Sequence, residues 1–108
     1  MPKIKFSDDY PKLNDKEFHT FRGYSPQKHR YYLSQVDELF DIELKGEVGG
    51  QARLSHIGFQ WASDVDPDTI KKDTFPTYTK DDWYNLMFKF YGVDNPFGIW
   101  LYFKREGD

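Results

Sequence analysis

No cysteine occurs among the 108 residues, which excludes a disulfide framework and any thiolate metal site. No stretch is long and apolar enough to span a bilayer, and the charged opening Met1-Pro2-Lys3-Ile4-Lys5-Phe6 lacks the apolar run of a signal peptide. The expectation is a cytoplasmic chain with no membrane partner. His19, His29 and His56 stand at no ligand spacing. The run Asp64-Val65-Asp66-Pro67-Asp68 starts like a calcium loop, yet it has Thr69 where the sixth position needs Gly and Phe75 where the twelfth needs Glu. Neither a metal nor a cofactor is therefore expected. Positive charge is also short: 15 Lys/Arg against 18 Asp/Glu give a net charge of -3, which excludes a general coater of DNA.

Aromatic residues, in contrast, are plentiful at 19% of the chain, while the mean hydropathy is only -0.83. A core of few, large rings satisfies both numbers and leaves some rings for a binding face. The charge is uneven as well. Residues 1–30 hold seven Lys/Arg against four acids, so a local anion site in the N-terminal third is compatible with the acidic whole.

No internal repeat, linker or low-complexity tract divides the chain, and 1–108 reads as a single domain. Ile4-Lys5-Phe6 is a short first strand, followed by a brief helical turn from a Ser7 cap through Asn14 with Pro11 early in it. Residues 17–23 form a strand closed by Gly23, and 24–34 reads as an exposed basic and aromatic loop. Phe40, Ile42 and Leu44 alternate with charged residues, as in a strand with one wet face. Gly46-Glu47-Val48-Gly49-Gly50 supplies a hairpin turn; it lacks the Gly-Lys-Ser/Thr ending of a phosphate-binding loop. The return strand, Gln51 to Trp61, changes its apolar phase near His56-Ile57-Gly58, which predicts a bulge there. A short helix is expected over 67–72. A longer one runs from Lys80 to Tyr91, capped by Thr79 with Asp82, carrying the core stripe Trp83, Leu86, Met87 and Phe90, and ended by Gly92. After the turn Asp94-Asn95-Pro96-Phe97-Gly98, the apolar strand Ile99–Lys104 belongs inside the sheet. This order gives an α+β fold with a curved mixed sheet or small β-barrel and flanking helices.

Chemistry concentrates in Asn14 to Arg22. Alternation along a strand puts Phe18, Thr20 and Arg22 on one face, offering a ring, a hydroxyl and a planar cation to a nucleobase and its phosphate. The alternative is plainly structural, with Phe18 in the core, Thr20 a strand former and Arg22 a surface charge. Lys28, Arg30 and Tyr31 make the following segment a second candidate contact for a nucleic acid strand, or an ordinary polar surface.

The element order, Asn14-Asp15-Lys16, Thr20-Phe21-Arg22, and the ending from Thr79-Lys80-Asp81-Asp82-Trp83 to Trp100-Leu101-Tyr102-Phe103-Lys104 resemble the ASCH family of the PUA-like superfamily. That family carries Gly-x-Lys-x-x-x-x-Arg after its first helix; here Asn14 replaces the Gly, and five residues instead of four separate Lys16 from Arg22. The resemblance implies an RNA- or modified-nucleotide-binding module with Lys16, Phe18, Thr20 and Arg22 at a cleft beside the barrel. It also implies an alternative, a small amidohydrolase that removes acetyl from N4-acetylcytidine, with Lys16 and Thr20 catalytic and Asp73 the nearest carboxylate for the third role. A third reading is a protein-interaction module whose cleft is vestigial.

Overall fold

The computed structural model describes residues 2–6, 10–93 and 95–106. Five strands form one mixed sheet: β1 (Lys3–Phe6), β2 (Glu17–Gly23), β3 (Leu39–Leu44), β4 (Glu47–Trp61) and β5 (Phe97–Arg105), in spatial order β1-β3-β4-β5-β2. Only β1 and β3 are parallel. Three helices accompany them: α1 (Pro26–Ser34), α2 (Pro67–Asp73) and α3 (Lys80–Tyr91). The fold is α+β, as the sequence predicts.

Side-chain alternation along β2 assigns its two faces. Phe18 and Thr20 turn inward, where Phe18 stacks on Phe103 at 5.3 Å and meets Phe6 edge-on at 6.2 Å. Phe21 turns outward beneath α3, 5.3 Å from Trp83 and 4.9 Å from Trp100. Its ring leaves no room for a side chain on the facing strand, since a Cβ at Gly98 would come within 2.0 Å of it. Two apolar clusters result, one on the concave side of the sheet around Phe40, Leu54 and Phe103, the other between the sheet and α3 around Trp83, Ile70 and Trp100.

The edge strands β1 and β2 approach one another through the Arg22 guanidinium, whose Nη2 donates to the Lys5 carbonyl at 2.8 Å. The sheet is thereby drawn toward a barrel, and its seam runs between these two edges.

The segment 24–34 departs from the expected loop. Ser25 accepts a hydrogen bond from the Lys28 amide at 3.1 Å and Pro26 occupies the first turn, so α1 begins with an ordinary cap. None of its residues is buried, and without an apolar stripe its helical period is invisible in the sequence. The hairpin turn is also shorter than expected. Lys45 (φ 51°) and Gly46 (φ 87°) make it alone, both left-handed as a two-residue hairpin requires, while Gly49 and Gly50 already belong to β4. The expected bulge in β4 lies between Leu54 and His56. The turn before β2 is a 3-10 turn at Pro11–Asn14; Ser7, expected as its cap, and Asp94 of the last turn lie outside the described residues.

In α3 the capping box of Thr79 and Asp82 is complete and Gly92 ends the helix at φ 72°. Trp83 and Met87 are buried, but Phe90, expected in the core stripe, is exposed. It falls at the last turn, where Tyr91 is the residue that reaches β2, and it lines the cleft described next.

Candidate functional site

At the seam, β1, the 3-10 turn, β2, the end of α2 and α3 enclose a cleft of about 540 Å³. Lys12, Thr20, Arg22, Glu43, Asp73 and Tyr91 line it, with the Phe6 ring beneath. The polar side chains reach it for separable reasons. Pro11 starts the 3-10 turn, and Arg105 Nη1 donating to the Leu13 carbonyl holds that turn against the sheet, which drives Lys12 inward. Thr20 and Arg22 follow from the inward phase of β2.

Asp73 stands in the last turn of α2, where the helix dipole disfavours a carboxylate. Lys12 offsets this: its Nζ lies 2.5 Å from Asp73 Oδ1, and both side chains are at most 5% exposed. The other carboxylate oxygen accepts from Trp83 Nε1 at 3.3 Å. Asp73 therefore ties the concave cluster to the one beneath α3. Burial pushes the Lys12 ammonium below the ordinary lysine value; Asp73 opposes that shift and the Arg22 cation adds to it.

Two buried polar atoms at this cleft lack a partner among the described residues, Arg22 Nε and Glu43 Oε2. The guanidinium is held from two sides, by the Lys5 carbonyl and by the Phe6 ring 5.1 Å from Cζ. Its remaining edge is thus a fixed donor, and Glu43 Oε2 is a buried acceptor. Thr20 is 4% exposed and lines the same cleft. Burial pushes the Tyr91 phenol up, while its hydroxyl donates to the Phe21 carbonyl at 3.3 Å.

Of the residues singled out in the sequence, Thr20 and Arg22 come together here. Lys16 is exposed and outside the cleft. The inserted residue is not absorbed by a bulge, because β2 pairs with β5 without a register shift from Glu17 to Gly23. Lys12, four residues earlier, supplies the buried ammonium instead. Phe18 is in the concave core and has no free face for stacking. Lys28, Arg30 and Tyr31 are exposed on α1, apart from the cleft. Asp73 is indeed a carboxylate of the cleft. Sequence reasoning missed Lys12 and Glu43: nothing distinguishes Lys12 from its neighbours before the turn is folded, and Glu43 sits at a position that strand alternation assigns to solvent. It lines the cleft beside Lys5, its partner across the parallel β1–β3 pair.

The chain matches no family model, no curated protein and no solved structure.

Proposed function

We propose that the cleft binds one modified nucleoside or nucleotide, free or within RNA, as the resemblance to ASCH domains implies. The observation that carries this reading is the pair of buried, unpartnered groups at one cleft, the Arg22 Nε donor and the Glu43 Oε2 acceptor. Each such group costs about 1–3 kcal/mol if left without a hydrogen bond. A cytidine-type base edge carries an acceptor beside a donor, the chemical complement of this pair, and the rings of Phe6 and Tyr91 line the same space. Titrating N4-acetylcytidine, cytidine and uridine while following amide shifts tests it. Movement in β2 and around Glu43 is expected, with Arg22→Ala and Glu43→Gln weakening binding about tenfold, the loss of one hydrogen bond to a charged group. If none of these nucleosides perturbs residues 20–22 or 43, the reading is wrong.

A second reading, hydrolysis, is favoured by the buried Lys12 beside Asp73 in the cleft that Thr20 lines. In this scheme the Thr20 Oγ1 attacks the acetyl carbonyl carbon, and its proton passes to a neutral Lys12 amine. The amide C–N bond then breaks as N4 regains a proton, and water releases acetate from Thr20. Burial, which pushes the Lys12 ammonium toward its neutral form, serves that step. Cytidine and acetate should appear together from N4-acetylcytidine, and Thr20→Val and Lys12→Met should abolish their release while Lys16→Ala leaves it unchanged. Binding without turnover at high protein concentration would leave the first reading alone.

A further inference from the structure

Away from the cleft, aromatic side chains gather on the face where the end of β4, the start of β5 and α1 meet. Trp61 is 49% exposed, Phe59 42% and Tyr24 39%. They are neighbours in one continuous path: Trp61 lies 5.0 Å from Phe97, Phe97 lies 5.3 Å from Tyr24 and 6.3 Å from Phe59, and Phe59 lies 4.8 Å from His29. Phe59 and Phe97 stack within 8° of parallel, while Trp61 and Tyr24 are tilted by 57° and 59° to Phe97. Core packing does not account for Trp61, Phe59 and Tyr24, because 39% to 49% of their surface meets solvent.

Charge identifies the occupant. The path ends on His29 in α1, where Lys28 and Arg30 flank it and no acidic residue occurs from Pro26 to Ser34. Beyond Trp61, at the other end of the path, stand Asp64, Asp66 and Asp68. A binder of apolar peptide has no use for this cationic end, and a binder of a simple polyanion has no use for the rings. Bases strung on a phosphate backbone use both, since every base has a face to stack on a ring and every link carries a phosphate for a cation.

We propose that the Tyr24–Phe59–Phe97–Trp61 face is a binding site for a single-stranded nucleic acid, with bases stacked on the rings and phosphates directed to Lys28 and Arg30. This site stands on its own observation and does not depend on what fills the cleft.

Trp61 reports on the site directly, since Trp83 and Trp100 are buried at 0% and 3% exposure. An oligouridylate of about eight nucleotides should quench tryptophan fluorescence at low salt, and Trp61→Phe should remove the quenching without removing binding. Phe59→Ala and Trp61→Ala should each weaken binding about tenfold. Lys28→Ala/Arg30→Ala should weaken it and flatten its salt dependence by about 1.4 in log–log slope. An oligothymidylate run in parallel tells RNA from DNA, because the 2′-hydroxyl is the difference between them. The amide shifts that the oligouridylate moves should lie at Tyr24, Phe59, Trp61 and Phe97 and not at residues 20–22 or 43, so a failure here is separable from a failure at the cleft. The proposal is overturned if neither oligonucleotide binds, if binding ignores Phe59→Ala and Trp61→Ala, or if polyphosphate of equal charge binds as tightly.

Discussion

The cleft and the ring-lined face break the usual rule of burial in opposite directions. At the seam, an ammonium, a carboxylate and a threonine are buried, and an arginine nitrogen and a second carboxylate's oxygen are buried without partners among the described residues. On the α1 face, three large rings stay in water. Polar burial costs stability and is tolerated where geometry holds each group, whereas exposed rings cost little and leave the fold indifferent to them. The two regions should therefore respond oppositely to substitution: changes in the cleft trade stability against ligand, and changes on the rings affect ligand alone.

The largest effect is expected at Asp73. Asp73→Ala leaves the Lys12 charge buried and unpaired and removes the acceptor of Trp83, so unfolding by urea should show a loss of about 3–5 kcal/mol. Lys12→Met/Asp73→Leu should restore most of this, because an apolar pair of similar volume replaces both charges. A single substitution costing under about 1 kcal/mol would show that the pair is not held as described. Trp83→Ala belongs to the same range, about 3–5 kcal/mol, through its cavity against Phe21 and Ile70.

The pH dependence isolates Lys12. Because folding lowers its pKa, the unfolded chain holds the proton longer, and stability rises as pH climbs from the lowered value toward the ordinary 10.5. Tyr32 and Tyr91, both raised by burial, act in the opposite sense at alkaline pH. The difference between wild type and Lys12→Met cancels them and should carry the rise; a flat difference would place the amine in solvent. Arg22→Ala is expected to cost about 1 kcal/mol, the bond to the Lys5 carbonyl, and to reduce nucleoside affinity far more visibly than stability. Smallest of all, Phe59→Ala and Trp61→Ala should each change stability by no more than about 0.5 kcal/mol, as exposed sites do. A loss of several kcal/mol there would turn those rings into core and erase the contrast.

Where local chemistry dominates, the sequence was legible. The capping box at Thr79 and Asp82, the left-handed Gly92, the alternation of β2 and the apolar run of β5 all announce their elements, because cap, period and turn residue act within a few positions. From those signals alone follow the α+β fold and the shared face of Phe18, Thr20 and Arg22; that this face turns inward and buries Phe18 in the core was not decided by them. Tertiary structure alone decided the rest. Whether Lys12 or Lys16 supplies the buried amine depends on how the 3-10 turn docks on β5, and the Lys12–Asp73 pair joins residues 61 positions apart. Glu43 joined the cleft where β3 pairs with β1 beside Lys5, and Phe59, Phe97 and Tyr24 became one surface only when three separate segments met. Burial and adjacency across such distances arise from the closing of the sheet, a property of no local window, so spacing in the sequence carries no trace of them.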